Sequence, residues 1–189
     1  MKIVAFAASN SRQSINKQLA TYAAGLVNDA EVEVLDLNDY EMPIFSEDRE
    51  RESGIPLAAY AFLERIGGAD ALVISYAEHN GSFSAAYKNI VDWASRATRN
   101  VFANKPTLML ATSPGAGGGA SVLALAEKSA PYMGAEVIRT LSVPKFHEQF
   151  GPGGDLVEEG GTGLRLAAAV KDLEAAISVS ETSELSAVG

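Results

Sequence analysis

The chain has 189 residues, 47% of them hydrophobic, enough for one substantial core; a single domain over residues 1–178 is predicted, with a frayed tail at 179–189. Lys and Arg total 15 against 24 Asp and Glu, and the net charge of −9 argues against nucleic acid or an anionic membrane surface as a partner. With no cysteine, the chain has no disulfide, thiolate metal site or Cys nucleophile.

Met1 to Ala8 is apolar for too few residues to span a bilayer or to form the apolar stretch of a signal peptide, so a cytoplasmic chain is expected. Ile3 to Ala8 reads as the first strand, and it runs into the polar turn Ser9-Asn10-Ser11-Arg12-Gln13-Ser14-Ile15-Asn16. Ile15, Leu19, Tyr22, Ala23 and Leu26 then recur at three and four residues, the apolar face of a helix ending near Asn28. Val32, Val34 and Leu35 begin a second strand. From Asp36 to Pro56 the composition turns charged, with Met42-Pro43 and the run Glu47 to Glu52, which predicts a long surface loop before a helix that ends at Gly67-Gly68.

Ala71 to Ser75 is an almost continuous apolar run, as expected of a central parallel strand covered on both faces. A second polar turn, Glu78-His79-Asn80-Gly81-Ser82, follows it. Phe83, Tyr87, Ile90, Val91, Trp93 and Ala94 predict a helix with more than one apolar side, the second expected to face a partner subunit. Pro106 opens a strand over Thr107 to Thr112, Ser113 to Gly119 is a flexible turn, and a helix is predicted from about Ala120 to Met133. Glu136 to Val143 fits a fifth strand, Gly151 to Gly163 a glycine-rich loop, and Leu164 to Ile177 the last helix.

Five strands alternating with helices predict an α/β fold: a flavodoxin-like, doubly wound five-stranded parallel sheet in order 2-1-3-4-5 with helices on both faces. Ligands of such sheets bind beyond the strand C-terminal ends near the switch point. The three unusual turns follow strands one, three and four, so they are expected to meet at one site.

Ser14 alone would suffice to cap the first helix. Ser9, Ser11, Arg12 and Asn16 add more donors than a cap requires, which points to an anion at the helix N-terminus. The turn lacks the Gly-x-x-x-x-Gly-Lys-Ser/Thr spacing of a triphosphate loop. Asn80-Gly81 reads either as a tight connection or as backbone amides offered to the polar edge of a planar ring. His79 and His147 lack metal-ligand spacing. Gly115-Ala116-Gly117-Gly118-Gly119-Ala120 satisfies a dinucleotide fingerprint formally, but it follows the fourth strand rather than the first; its glycines either let backbone approach a flat cofactor or simply provide flexibility. No Gly-x-Ser-x-Gly elbow occurs.

Together the three turns resemble those of the NADPH-dependent FMN reductase family, the flavodoxin-like group that includes quinone, chromate and azo-dye reductases, and the likeness extends to about Val143. The family's first loop is typically Gly-Ser-x-Arg-x-x-Ser-x-Asn. Ser9, Ser11, Ser14 and Asn16 fall on its hydroxyl and amide positions, with Ala8 for the usual glycine, Ser11 where arginine is common, and Arg12 one place off. The family's Pro-Glu-Tyr-Asn-Gly-Ser corresponds to Ala77-Glu78-His79-Asn80-Gly81-Ser82, and its Ser-Pro-Gly-x-x-Gly-Gly resembles the run that carries Ser113, Pro114, Gly115, Gly117 and Gly118.

The resemblance implies bound FMN, NADPH or NADH as reductant, a small-molecule electron acceptor such as a quinone or flavin, and a homodimer or homotetramer. It also implies a cofactor-binding set: Ser9, Ser11, Arg12, Ser14, Ile15 and Asn16 for the phosphate, with Ala77, Glu78, His79, Asn80, Gly81, Ser113, Pro114, Gly115, Gly117 and Gly118 around ribityl chain and ring. No catalytic side chain or metal is implied, because the flavin carries the chemistry. The alternative is a flavodoxin-type electron carrier that serves a protein partner without nicotinamide turnover.

Overall fold

In the computed structural model, which describes residues 1–157 and 161–187, the apolar runs pair side by side as β1 (Lys2–Ala8), β2 (Glu31–Leu35), β3 (Ala71–Tyr76), and, after a short hairpin of β4 (Glu78–His79) and β5 (Ser82–Phe83), β6 (Lys105–Thr112) and β7 (Ala135–Val143). The five long strands form one parallel sheet in order β2-β1-β3-β6-β7, the predicted 2-1-3-4-5 pattern once the hairpin is set aside. Side-chain alternation splits it into two cores. Val4, Phe6, Leu72, Ile74 and Met109 face α3 (Leu57–Gly67), α4 (Ala85–Ala97) and α5 (Ala120–Ser129). Ile3, Ala5, Val73, Leu108 and Leu110 face α1 (Ile15–Gly25) and α7 (Gly161–Ala187).

The 36–56 segment departs from the predicted surface loop. Leu37, Tyr40 and Met42 are buried, within and just after a 3-10 turn at Leu37–Tyr40, and α2 (Glu47–Ser53) follows as an exposed helix. Ser46 caps α2, and Glu47, Asp48 and Glu50 in its first turn complement the helix dipole, so the charged run is a solvated helix. This segment also covers the second apolar side of α4 that was expected to face a partner subunit. Trp93 Nε1 donates to the Pro43 carbonyl at 2.7 Å, and Phe45 meets the Trp93 ring edge-on. Toward the C-terminus, α6 (Phe146–Gln149) lies between the predicted fifth strand and the predicted 151–163 loop, and α7 outruns the predicted 164–177 helix at both ends. The predicted 151–163 loop falls partly, and the predicted tail at its last two residues, outside the described residues.

Asp36, at the end of β2, receives Lys17 Nζ at 2.7 Å and the Asn38 backbone N–H at 2.9 Å. Lys17 above all, and then Asn38, hold its carboxyl at about 2 against burial, below the ordinary 3.8. A carboxyl depressed on folding contributes stability that is fully present above the unfolded value and is lost as pH falls toward 2. In urea unfolding, Asp36→Asn should lower stability at neutral pH, and the gap to wild type should close by about pH 2.

Candidate flavin site at the carboxyl edge of the sheet

The predicted turns leave three adjacent strands, β1, β3 and β6, at one edge of the sheet. Hydrogen bonds then draw them together. Asn16, 4% exposed in the first turn of α1, donates from Nδ2 to the Thr112 carbonyl at 3.2 Å; its Oδ1 accepts the Thr112 N–H at 3.0 Å and the Ser75 hydroxyl at 2.8 Å. One carboxamide thus pins the first loop to the last residues of β6 and to β3. Ser84, the N-cap of α4, donates to the Ala8 carbonyl at 2.8 Å and ties the end of the hairpin to the end of β1. Glu78 Oε2 accepts the Val122 N–H at 3.0 Å and caps α5, whose own N-cap is the side-chain-less Gly119, so the second loop is bound to the helix that follows the third.

The side chain of Asn16, predicted among the phosphate ligands, is therefore turned inward and spent on the protein. Ser9 and Ser14 are buried at 7% exposure, and each hydroxyl oxygen already accepts a backbone N–H, from Ser11 and Lys17, both at 3.2 Å. Their hydroxyl protons remain to be donated. The N–H groups of Ile15 and Asn16 find no acceptor among the described residues, as expected in the first turn of a helix. Ser11 is exposed beside them. Arg12 is exposed and, together with Ser14, Lys17 and Tyr22, lines a 350 Å³ depression between α1 and the 151–155 loop.

At the hairpin tip Asn80 and Gly81 have φ of 53° and 75°, the pair of left-handed residues that a two-residue hairpin turn demands. His79, Asn80 and Gly81 are exposed and Ala77 is buried beneath them. The hairpin rests on an aromatic floor of Tyr76, Phe83 and Tyr87, with ring centroids 5.1 to 5.8 Å apart. Burial pushes the phenols of Tyr76 and Tyr87 far above their ordinary range, so both stay neutral.

The third loop divides in two. Pro114, Gly115 and Gly117 are exposed, and a Cβ added at either glycine would meet nothing within 4 Å. Gly118 is instead packed against β7: its φ is 57°, its carbonyl accepts the Ser142 hydroxyl at 3.0 Å, and a Cβ there would lie 2.9 Å from the Pro144 nitrogen. Gly118, expected near the flavin, therefore serves the close approach of two backbones within the protein. Ser113 and Gly115 carbonyls accept from Phe146 and Lys145 N–H groups, which fixes the loop's base on α6.

Ser75, Ser84 and Thr112 escaped sequence reasoning. Ser84 carried a cap signal, a hydroxyl just before the α4 pattern, but nothing local shows that a serine will reach across to another strand. Among the described residues no group of His, Asp and Glu could hold a metal ion, and no helix is long and apolar enough to cross a membrane.

The model of the NADPH-dependent FMN reductase family matches residues 1–148. A 2-hydroxy-1,4-benzoquinone reductase from Burkholderia sp. is 38% identical over 118 residues, 61% of this chain and 62% of the relative. A Pseudomonas aeruginosa NAD(P)H-dependent FMN reductase is 34% identical over 116 residues, 61% of each. These alignments span about three-fifths of the length of the curated relatives. Among solved structures, the flavoenzyme NAD(P)H:(acceptor) oxidoreductase FerB from Paracoccus denitrificans shares the fold, with a TM-score of 0.75, 24% identity, and coverage of 94% of this chain and 97% of that one. With its family match covering β1 through β7 and all three loops, the chain belongs to the NADPH-dependent FMN reductase family.

Proposed function

We propose that the protein is a cytoplasmic FMN-dependent NAD(P)H oxidoreductase that passes reducing equivalents from NADPH or NADH to a small acceptor of the quinone or flavin class. The observation that carries this reading is the convergence of three polar loops on the carboxyl edge of β1, β3 and β6, knotted by Asn16. The donor set fits a phosphate monoester: two buried hydroxyls with protons to give, the exposed Ser11, and the open N–H groups of Ile15 and Asn16 at the positive end of α1. The open Gly115 and Gly117 leave room for a flat ring beside the hairpin tip.

When bound, FMN supplies the two-electron chemistry that none of the three loops provides. In this reading the chain's own residues position the cofactor. Ser9, Ser11 and Ser14 hold its phosphate, Glu78 holds the hairpin against α5, and Asn80 and Gly81 present backbone at the ring edge. The buried rings of Tyr76 and Tyr87 seat Phe83 of the hairpin against the fold. Relatives named as a benzoquinone reductase and an FMN reductase support the acceptor class. We extend the reading to a homodimer or homotetramer, supported by the exposed Leu57 and Tyr60 on α3, apolar surface that such an assembly would cover.

The test is spectroscopic. Purified protein should take up FMN with a perturbed flavin band, and anaerobic NADPH or NADH should bleach it within the mixing time of a manual assay. Flavin that binds but stays oxidised with both nicotinamides favours the electron-carrier alternative, and protein that takes up no FMN sinks both.

A further inference from the structure

Asn80 is the one asparagine in the sequence that a glycine follows. It is exposed at the hairpin tip, and its carboxamide makes no hydrogen bond among the described residues. The carboxamides of Asn16, Asn28, Asn38, Asn89 and Asn100 are all held in hydrogen bonds. Asn10 and Asn104 are exposed and their carboxamides make no hydrogen bond among the described residues, but Ser11 and Lys105 follow them, each with a Cβ that restricts and crowds the intervening backbone nitrogen. An open carboxamide and an uncrowded neighbouring nitrogen therefore coincide at Asn80.

The tip is also free to open. Gly81 has a φ of 75°, and a Cβ built on it would meet nothing within 4 Å. The only ladder pairs are Glu78 with Phe83 and His79 with Ser82, and a hairpin held by so short a ladder frays. Its base is fixed, because Glu78 accepts the Val122 N–H at 3.0 Å and Ser84 donates to the Ala8 carbonyl at 2.8 Å. Opening is thus confined to the exposed residues from His79 to Ser82. It releases Asn80 from the turn conformation and lets the Gly81 nitrogen reach the side-chain carbonyl carbon.

We propose that Asn80 is a site of spontaneous covalent modification, its carboxamide converting to a carboxylate through a cyclic imide with Gly81. The Gly81 nitrogen bonds to Asn80 Cγ as the Cγ–Nδ2 bond breaks, and Nδ2 leaves as ammonia with the proton that the Gly81 nitrogen gives up. Water then opens the five-membered ring. Addition at Cγ yields aspartate, and addition at the Asn80 main-chain carbonyl yields isoaspartate, whose chain runs through Cβ and Cγ. Water is the sole co-reactant, and nothing is oxidised or reduced. Either product adds negative charge to a chain already at −9, and isoaspartate also lengthens the main chain of a turn built on two left-handed residues. That the modified tip holds flavin less well rests on the flavin reading of the site; the conversion does not.

Tryptic peptide masses, followed while the whole protein stands in neutral buffer, test the site. The 66–88 peptide contains Asn80 as its sole asparagine and no glutamine, and the 3–12 peptide contains Asn10 alike. In FMN-free protein the first should gain the mass of an amide-to-acid change roughly tenfold faster than the second, in two chromatographic forms. Gly81→Ala, whose methyl has open space, should slow the change to about the rate at Asn10. Conversion at Asn80 no faster than at Asn10 in the wild type, which needs no variant to fold, overturns the proposal, as does undiminished conversion in folded Gly81→Ala. Bound FMN should slow conversion by covering the tip. Conversion at an equal rate in protein shown by its spectrum to hold FMN leaves the modification site standing and removes Asn80 and Gly81 from the flavin site instead.

Discussion

Asn16→Ala should be among the most damaging single substitutions in the chain. The side chain is 4% exposed, and its removal strips partners from the Ser75 hydroxyl and from both the N–H and the carbonyl of Thr112. A buried polar group left without a partner costs about 1–3 kcal/mol, and relaxation around three neighbouring groups brings the expected loss to roughly 3–5 kcal/mol. Urea unfolding measures it directly. For a chain of this size that corresponds to a fall in melting temperature of about 2–4 °C per kcal/mol. Asn16→Asp keeps the acceptor but gives up the Nδ2 donor and buries a charge, so it should be no milder. A loss below about 1 kcal/mol for Asn16→Ala would show that the knot between α1, β3 and β6 is not what holds the loops together.

Gly118→Ala should destabilise the protein markedly, while Gly115→Ala and Gly117→Ala should fold as wild type. At Gly118 a Cβ must fit a φ of 57° and would sit 2.9 Å from the Pro144 backbone nitrogen, an atom that cannot rotate away as a side chain can. Left-handed strain adds about 1 kcal/mol or more, and overpacking typically 1–3 kcal/mol. The expected cost is roughly 2–4 kcal/mol. Gly115 and Gly117 have open space and negative or unrestricted φ, so their Ala variants should change stability by under about 0.5 kcal/mol and show their effect in FMN affinity instead. Thermal unfolding and FMN titration of the three variants separate the structural glycine from the two that face outward.

Such differences between neighbouring residues mark the limit of what the sequence discloses. The strands were legible because β1 and β3 are buried on both faces and read as unbroken apolar runs. The sheet order followed from alternation with helices. Asn16 and Ser14 were both read as phosphate ligands, since a polar side chain in a turn looks the same whether it faces a ligand or a strand 96 residues away. The segment after β2 reads as a surface loop because Leu37, Tyr40 and Met42 are spaced by polar and charged residues in no regular period, and what packs on it, Phe62 against Tyr40 and Asn89, Trp93 and Arg96 against Met42, Pro43 and Glu50, lies far along the chain. The apolar surplus of α4 is legible in the sequence, but its cover is the chain's own segment at Pro43 and Phe45. Gly118 and Gly115 sit in one glycine run, and only the position of β7 distinguishes them.

The central claim is that the first loop recognises the phosphate of a flavin mononucleotide. Parallel titrations with FMN and with riboflavin, which lacks the phosphate, test it on wild type and Ser11→Asp. Ser11 is exposed and its side chain makes no hydrogen bond among the described residues, so a carboxylate there leaves the fold intact and sets a like charge against the phosphate. Wild type should bind FMN at least about a hundredfold tighter than riboflavin, and Ser11→Asp should erase most of that gap by weakening FMN alone. Equal affinity of wild type for the two flavins, or an undiminished preference for FMN in Ser11→Asp, would contradict the account.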